Sequence, residues 1–145
     1  MICTFFGHRD TLDDVAILLD TVLTDLIENK NVDVFYVGNQ GNFDKIVKRQ
    51  LDKMKKTHPH IRYFIVLAYL PTKKDGTYTE SYDCTIYPQG LETVPPKYAI
   101  SKRNEWMISK SDYVVTYVKK SFGGAFKFKN LALTKGKTVI EISKK

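Results

Sequence analysis

Between Leu12 and Ile27 the apolar positions recur at three- and four-residue intervals. Leu12, Val15, Ala16, Leu19, Val22, Leu23, Leu26 and Ile27 therefore share one helical face. Thr11, with Asp14 three residues on, has the spacing of a capping box and predicts a helix starting there. Ahead of it stand a short β-prone run, ICTFF at 2–6, and the turn GHRD. Strand, glycine turn and helix then repeat. VDVFYVG at 32–38 reads as a strand, NQGNF as a turn, and 44–56 as a helix with Ile46, Val47, Leu51 and Met54 inward. RYFIVLAYL at 62–70 is the third strand.

After Leu70 the alternation stops. Residues 71–96 hold four of the five prolines and read as a long loop insertion, with a short strand possible near Thr85 to Tyr87. A helix follows to about Ser111, then the strand DYVVTYV at 112–118, a helix closed by Gly136, and a final strand at 137–142. Strands alternating with helices predict an α/β fold: a Rossmann-like three-layer arrangement with a mostly parallel five-stranded sheet in the order 3-2-1-4-5. In such a sheet a ligand binds beyond the carboxyl ends of the strands, where the chain reverses direction between strands 1 and 4.

The 145 residues fit one domain, 1–145. The N-terminal apolar run meets His8 and Arg9 too early for a signal core or a membrane span, which predicts a soluble, cytoplasmic protein without a membrane partner. Cys3 and Cys84 are far apart and lack C-x-x-C spacing, so neither a disulfide framework nor a metal site is indicated, and the thiols read as buried or idle. The charge changes the picture more. From Lys119 onward the chain has eight lysines and one acid, Glu141, which accounts for the whole net charge of +7. That segment either attracts anions or is a solvated lysine face.

Three turns would meet at the switch point. In Gly7-His8-Arg9-Asp10, glycine allows close backbone approach, Arg9 offers a planar fork to a phosphate, and His8 can donate to phosphate or ribose; the alternative is a solvated surface turn. The second turn, from Gly38 through Asn39 and Gly41 to Asp44, brackets amide side chains with glycines; Asp44 is a ribose ligand or a helix-capping acid. It is neither a G-x-G-x-x-G nor a Walker motif. The third is Ser121-Phe122-Gly123-Gly124, a phosphate grip at a helix N-terminus or a plain reversal. On the helix before strand 4, Arg103 shares a side with Met107 and Lys110, whereas Asn104 and Trp106 point elsewhere, Trp106 reading as a core aromatic. Tyr82, Tyr87 and Tyr98 can stack on a base or simply pack the loop.

Taken together, GHRD, GNQGNFD, YDCTIYPQGLE, KRNEWMISKSDYVV and GGA resemble the SLOG superfamily of Rossmann-like proteins, and within it the small single-domain YpsA-like group. GNFD resembles the glycine-x-hydrophobic-aspartate turn of its DNA-processing members. RNEWM…SD…GG resembles the LOG enzymes, which cleave nucleoside monophosphates at the N-glycosidic bond. The resemblance implies a nucleotide or a nucleotide-derived phosphorylated ribose, such as an ADP-ribose derivative, and no cofactor. Arg9, Arg103 and the backbone of Gly41, Gly123 and Gly124 would hold phosphate, Asn39 and Asp44 the ribose, and Tyr87 the base. Arg103 matches the LOG arginine, but Asn104 replaces its lysine, and 125–130 contains no carboxylate where the catalytic glutamate would stand. The reading therefore leans to sensing or sequestering, with catalytic residues unassigned. A phosphoribohydrolase using Asp10, Asp44, Glu92 or Glu105 is the alternative, and single-stranded nucleic-acid binding through the lysine-rich segment the second. A homo-oligomer sharing the 71–96 loop is compatible with all three.

Overall fold

The computed structural model describes residues 1–70 and 84–142, and of Cys84 only the backbone. Among the described residues the sheet is parallel throughout and has six strands, not five: β1 Ile2–Gly7, β2 Val34–Val37, β3 Arg62–Val66, β4 Cys84–Ile86, β5 Tyr113–Tyr117 and β6 Thr138–Glu141. Their order is β4-β3-β2-β1-β5-β6. The expected 3-2-1-4-5 core is thus present, with β4 added at the β3 edge. This three-residue strand is too short to show a period, and it pairs with β3 residues 20 positions earlier, such as Phe64 with Cys84.

Helices cover both faces. On one side lie α1 Val15–Asn29 and α2 Gly41–Thr57, on the other α3 Ala99–Lys110 and α4 Gly124–Thr134. The alternation of β1 divides the core accordingly. Cys3 and Phe5 pack with Leu19, Leu23, Ile46 and Leu51 beneath α1 and α2, whereas Phe6 joins Met107, Ile108, Phe128 and Ala132 beneath α3 and α4. Burial pushes the Cys3 thiol far above its ordinary value, so it is a packing group.

The helix starts differ from the sequence expectation. The first helix begins at Val15, because the Thr11 hydroxyl donates to the His8 carbonyl at 2.6 Å instead of capping, and Asp14 makes no capping bond. Leu12 consequently lies outside the helix and is 70% exposed. The second begins three residues earlier than its periodicity implied, at Gly41, whose φ of +82° suits glycine. Trp106 is half-buried and packs against Tyr36, with 5.2 Å between ring centroids. Among the described residues, no helix is long and apolar enough to cross a membrane.

Candidate functional site

β1 lies between β2 and β5, so the loops leaving these three strands meet above the sheet. Between them and α3 is a cavity of about 440 Å³, within the size range of small-ligand pockets. Eight of the twelve expected residues line it: Gly7, His8, Arg9, Gly38, Asp44, Arg103, Gly123 and Gly124. Asn39, Gly41, Tyr87 and Ser121 do not. Asn39 instead accepts the Lys48 ammonium at 2.9 Å, and Tyr87 packs against the core under α1 and α2. Tyr82 falls outside the described residues.

The inner wall is polar although buried. Arg103 is only 2% exposed; its Nη1 donates to the Val66 carbonyl at the end of β3 (2.8 Å), and its Nε donates to Asn104 Oδ1 (2.7 Å). An arginine can only donate, so this contact fixes the Asn104 carboxamide with its oxygen toward Arg103 and its NH₂ left to donate elsewhere. Asn104 therefore does not point away as its helical position suggested: it lines the cavity at 8% exposure. Asp44, 9% exposed in the first turn of α2, accepts the Gln40 N–H at 2.8 Å. Burial pushes its carboxyl up to about 6, against the opposing pull of that N–H and of Arg103, Lys48 and Arg9. Burial likewise lowers the Arg103 pKa, with Asp44 working the other way. Neither the Arg103 Nη2 nor the Asn104 NH₂ donates to another described residue.

The glycines of the first two turns have internal reasons. A Cβ on Gly7 would lie 2.3 Å from the Phe43 ring, so the packing of Phe43 by itself requires glycine there, while Gly7 also lines the cavity. A Cβ on Gly38 would sit 2.9 Å from Asp44 Oδ2 and 3.3 Å from Arg103 Cζ, so this glycine makes room for the buried carboxylate and guanidinium. A Cβ on Gly41 would meet the Arg9 backbone at 2.7 Å. The two loops are joined there. Asn42 donates its backbone N–H to the Arg9 carbonyl (2.9 Å), and its carboxamide to the Thr11 carbonyl (2.5 Å) and to Asp13 Oδ1 (3.0 Å).

The third turn is different. Gly123 has φ +92° and ends the loop at the N-terminus of α4, while Gly124 has no such strain; a Cβ on either would meet nothing within 4 Å. No side chain caps α4, so its first amides and positive dipole end face the cavity. His8 bridges to this loop: its Nε2 accepts the backbone N–H of Lys119 (3.0 Å) and of Lys120 (3.3 Å), and Lys120 Nζ pairs with Asp10 at 3.1 Å. Burial first, then the Lys120 charge, lowers the His8 pKa, consistent with a neutral ring accepting at Nε2.

Gln40, Ser101, Lys120 and Phe122 also line the cavity and were not anticipated. Of the four carboxylates considered for catalysis, Asp10 and Asp44 reach it, whereas Glu105 pairs with Lys102 and faces a different pocket, and Glu92 is exposed elsewhere. No group of His, Cys, Asp or Glu among the described residues could hold a metal ion.

With the strand order and switch-point cavity established, the chain can be set beside known structures. The X-ray structure of DNA processing protein A (DprA) from Streptococcus pneumoniae superposes with a TM-score of 0.71 at 16% identity, over 99% of this chain and 50% of that one. The fold is Rossmann-like. This chain spans half the length of that neighbour. No family model and no curated protein matches the sequence.

Proposed function

We propose that residues 1–145 form one nucleotide-binding unit that senses or sequesters a nucleotide, or a nucleotide-derived phosphorylated ribose, in the cavity above β1, β2 and β5. The observation that carries this reading is the trio Asp44, Arg103 and Asn104. All three are at least nine-tenths buried and face one cavity, and two of them hold donors that no described residue uses. Burying such donors is costly unless a ligand completes them. A carboxylate beside a guanidinium and a carboxamide suits a ribose diol and an adjoining phosphate, and the α4 N-terminus with Lys120 adds a second anion-stabilising element. The SLOG-like motifs, including the YpsA-like pattern, support the same assignment, as does the shared fold with DprA.

Calorimetry against a panel of nucleoside mono- and diphosphates and ADP-ribose tests it, with Arg103→Ala as the control. Binding by the native chain that is lost in the variant is the expected result; no binding to any member would sink the reading. Single-stranded oligonucleotides belong in the same panel, because the neighbour is named a DNA processing protein. Affinity for them that falls steeply with salt, beyond the gentler slope of a mononucleotide, would move the assignment to nucleic acid.

One observation favours a second reading. Asp44 is a buried carboxyl with a pKa of about 6 inside the cavity, the kind of group used as a general acid or base near neutrality. In this reading it would serve N-glycosidic cleavage in place of the glutamate missing after Gly124. Release of free base from a nucleoside monophosphate, abolished by Asp44→Asn, would establish it.

A further inference from the structure

The chain has eight phenylalanines, all among the described residues, and seven of them are buried or half-buried. Phe122 is the exception, at 69% exposure. It lines the cavity, between Lys120, whose N–H is held by His8, and Gly123, which opens α4. No aromatic ring or cation of a described residue packs on it. Singly exposed apolar side chains are ordinary, and Ile17 and Leu12 are at least as exposed; what sets Phe122 apart is that, of the exposed large apolar side chains among the described residues, it alone lines this cavity.

Its surroundings fix what it can do. A Cβ on Gly123 or Gly124 would meet nothing within 4 Å, so the backbone beside Phe122 is open; Lys120, Ala125 and the buried Phe128 also line this side of the cavity. The opposite side carries Asp44, Arg103 and Asn104, which suit hydroxyl and phosphate groups; of the other rings that line the cavity, Phe5, Phe6 and Phe128 are at most 6% exposed and the His8 ring is held to the loop after β5. The tyrosine that sequence offered for the base, Tyr87, does not line the cavity.

We infer that Phe122 is the stacking wall for the ligand's planar ring, so that the cavity selects nucleotides over bare sugar phosphates. This rests on the nucleotide reading above and adds a specificity residue to it. An apolar ring face stacks on every base, so Phe122 favours the presence of a base without choosing among them.

The test is calorimetry on the full chain with four nucleoside 5′-monophosphates and ribose 5-phosphate, for the native protein and for Phe122→Ala, Phe122→Leu and Phe122→Trp. Phe122→Ala should weaken the best-bound nucleotide by about five- to a hundredfold while leaving ribose 5-phosphate within about twofold. Phe122→Trp should restore nucleotide affinity, and Phe122→Leu, apolar but without a ring, should not. Equal weakening of both ligands, no weakening of the nucleotide, or full rescue by leucine would overturn the stacking role while leaving the nucleotide site standing. Failure of the native chain to bind any of the five, or the nucleoside diphosphates and ADP-ribose of the panel above, overturns both.

Discussion

The imidazole of His8 accepts the backbone N–H of Lys119 at 3.0 Å, joining the loop after β1 to the loop after β5 across 111 residues of chain. The same nitrogen takes the N–H of Lys120, so one neutral ring satisfies two amides that would otherwise face solvent or a ligand. Protonation would replace that acceptor with a donor next to Lys120.

This bridge predicts a pH effect of definite sign. The folded-state pKa of His8 lies below its ordinary 6.5, so the unfolded chain binds the proton more readily. The bridge's stabilisation is therefore complete above about pH 6.5 and is lost as pH falls through the folded-state pKa. Thermal unfolding from pH 8 to 5 should show a fall in the native protein that is flatter in His8→Gln, the difference confined to the acidic half of the range.

Asp44 titrates in the opposite sense. Its folded-state pKa of about 6 lies above the ordinary 3.8, so its contribution is fully present below the unfolded value and is lost as pH rises to about 6. At pH 7 the buried carboxylate thus opposes folding. Asp44→Asn should stabilise the chain at neutral pH by on the order of 1–3 kcal/mol, while nucleotide affinity falls. Denaturant unfolding and calorimetry on the same variant check both halves; a destabilised variant would contradict the assignment of burial as the dominant influence on Asp44.

Gly7→Ala should cost about 1–3 kcal/mol, because the added methyl enters the Phe43 ring with no space to yield. Phe43→Leu in the Gly7→Ala background should recover part of the loss. A double-mutant cycle measures this coupling, and purely additive losses would show that another contact sets the cost.

Asn42→Ala removes two side-chain bonds that hold the first loop to the second, and should destabilise the protein by about 1–2 kcal/mol. Because Arg9 and Asp44 line the cavity on either side of this junction, ligand affinity should fall as well, although Asn42 does not itself line it. Calorimetry paired with denaturant unfolding separates the two effects.

What the sequence showed and what it hid follow from range. The periodicity of Leu19, Leu23, Leu26 and Ile27, and the apolar runs of β1 and β5, reflect local patterns of burial, so strands, helices and the 3-2-1-4-5 order were legible. Residues 84–86 carry too few positions for a pattern, so the sixth strand was noticed only as a possibility. At the candidate site, the turn glycines lead to the cavity at the strand ends, but the contacts that require glycine there lie far along the chain: Gly7 answers to Phe43, 36 positions away, and Gly38 to Asp44 and Arg103. Asn104 escapes a helical wheel, which shows direction, not reach; its oxygen is turned by the arginine beside it. Phe122 left its signal in exposure alone, which no linear pattern encodes.

The Asn42 junction also sets how the crevice can deform. With Gly41 seated on the Arg9 backbone and Asn42 bonded three times across the gap, the loops after β1 and β2 behave as one stiff jaw. The loop after β5 is the other jaw, and above the strand ends the tethers described between the two are the His8 ring and the exposed Lys120–Asp10 pair. A push on Arg9 is thus transmitted to Asp44 through backbone bonds, whereas the loop that carries Phe122 and Gly123 is held to the opposite jaw by the His8 ring and by the charges of its lysines.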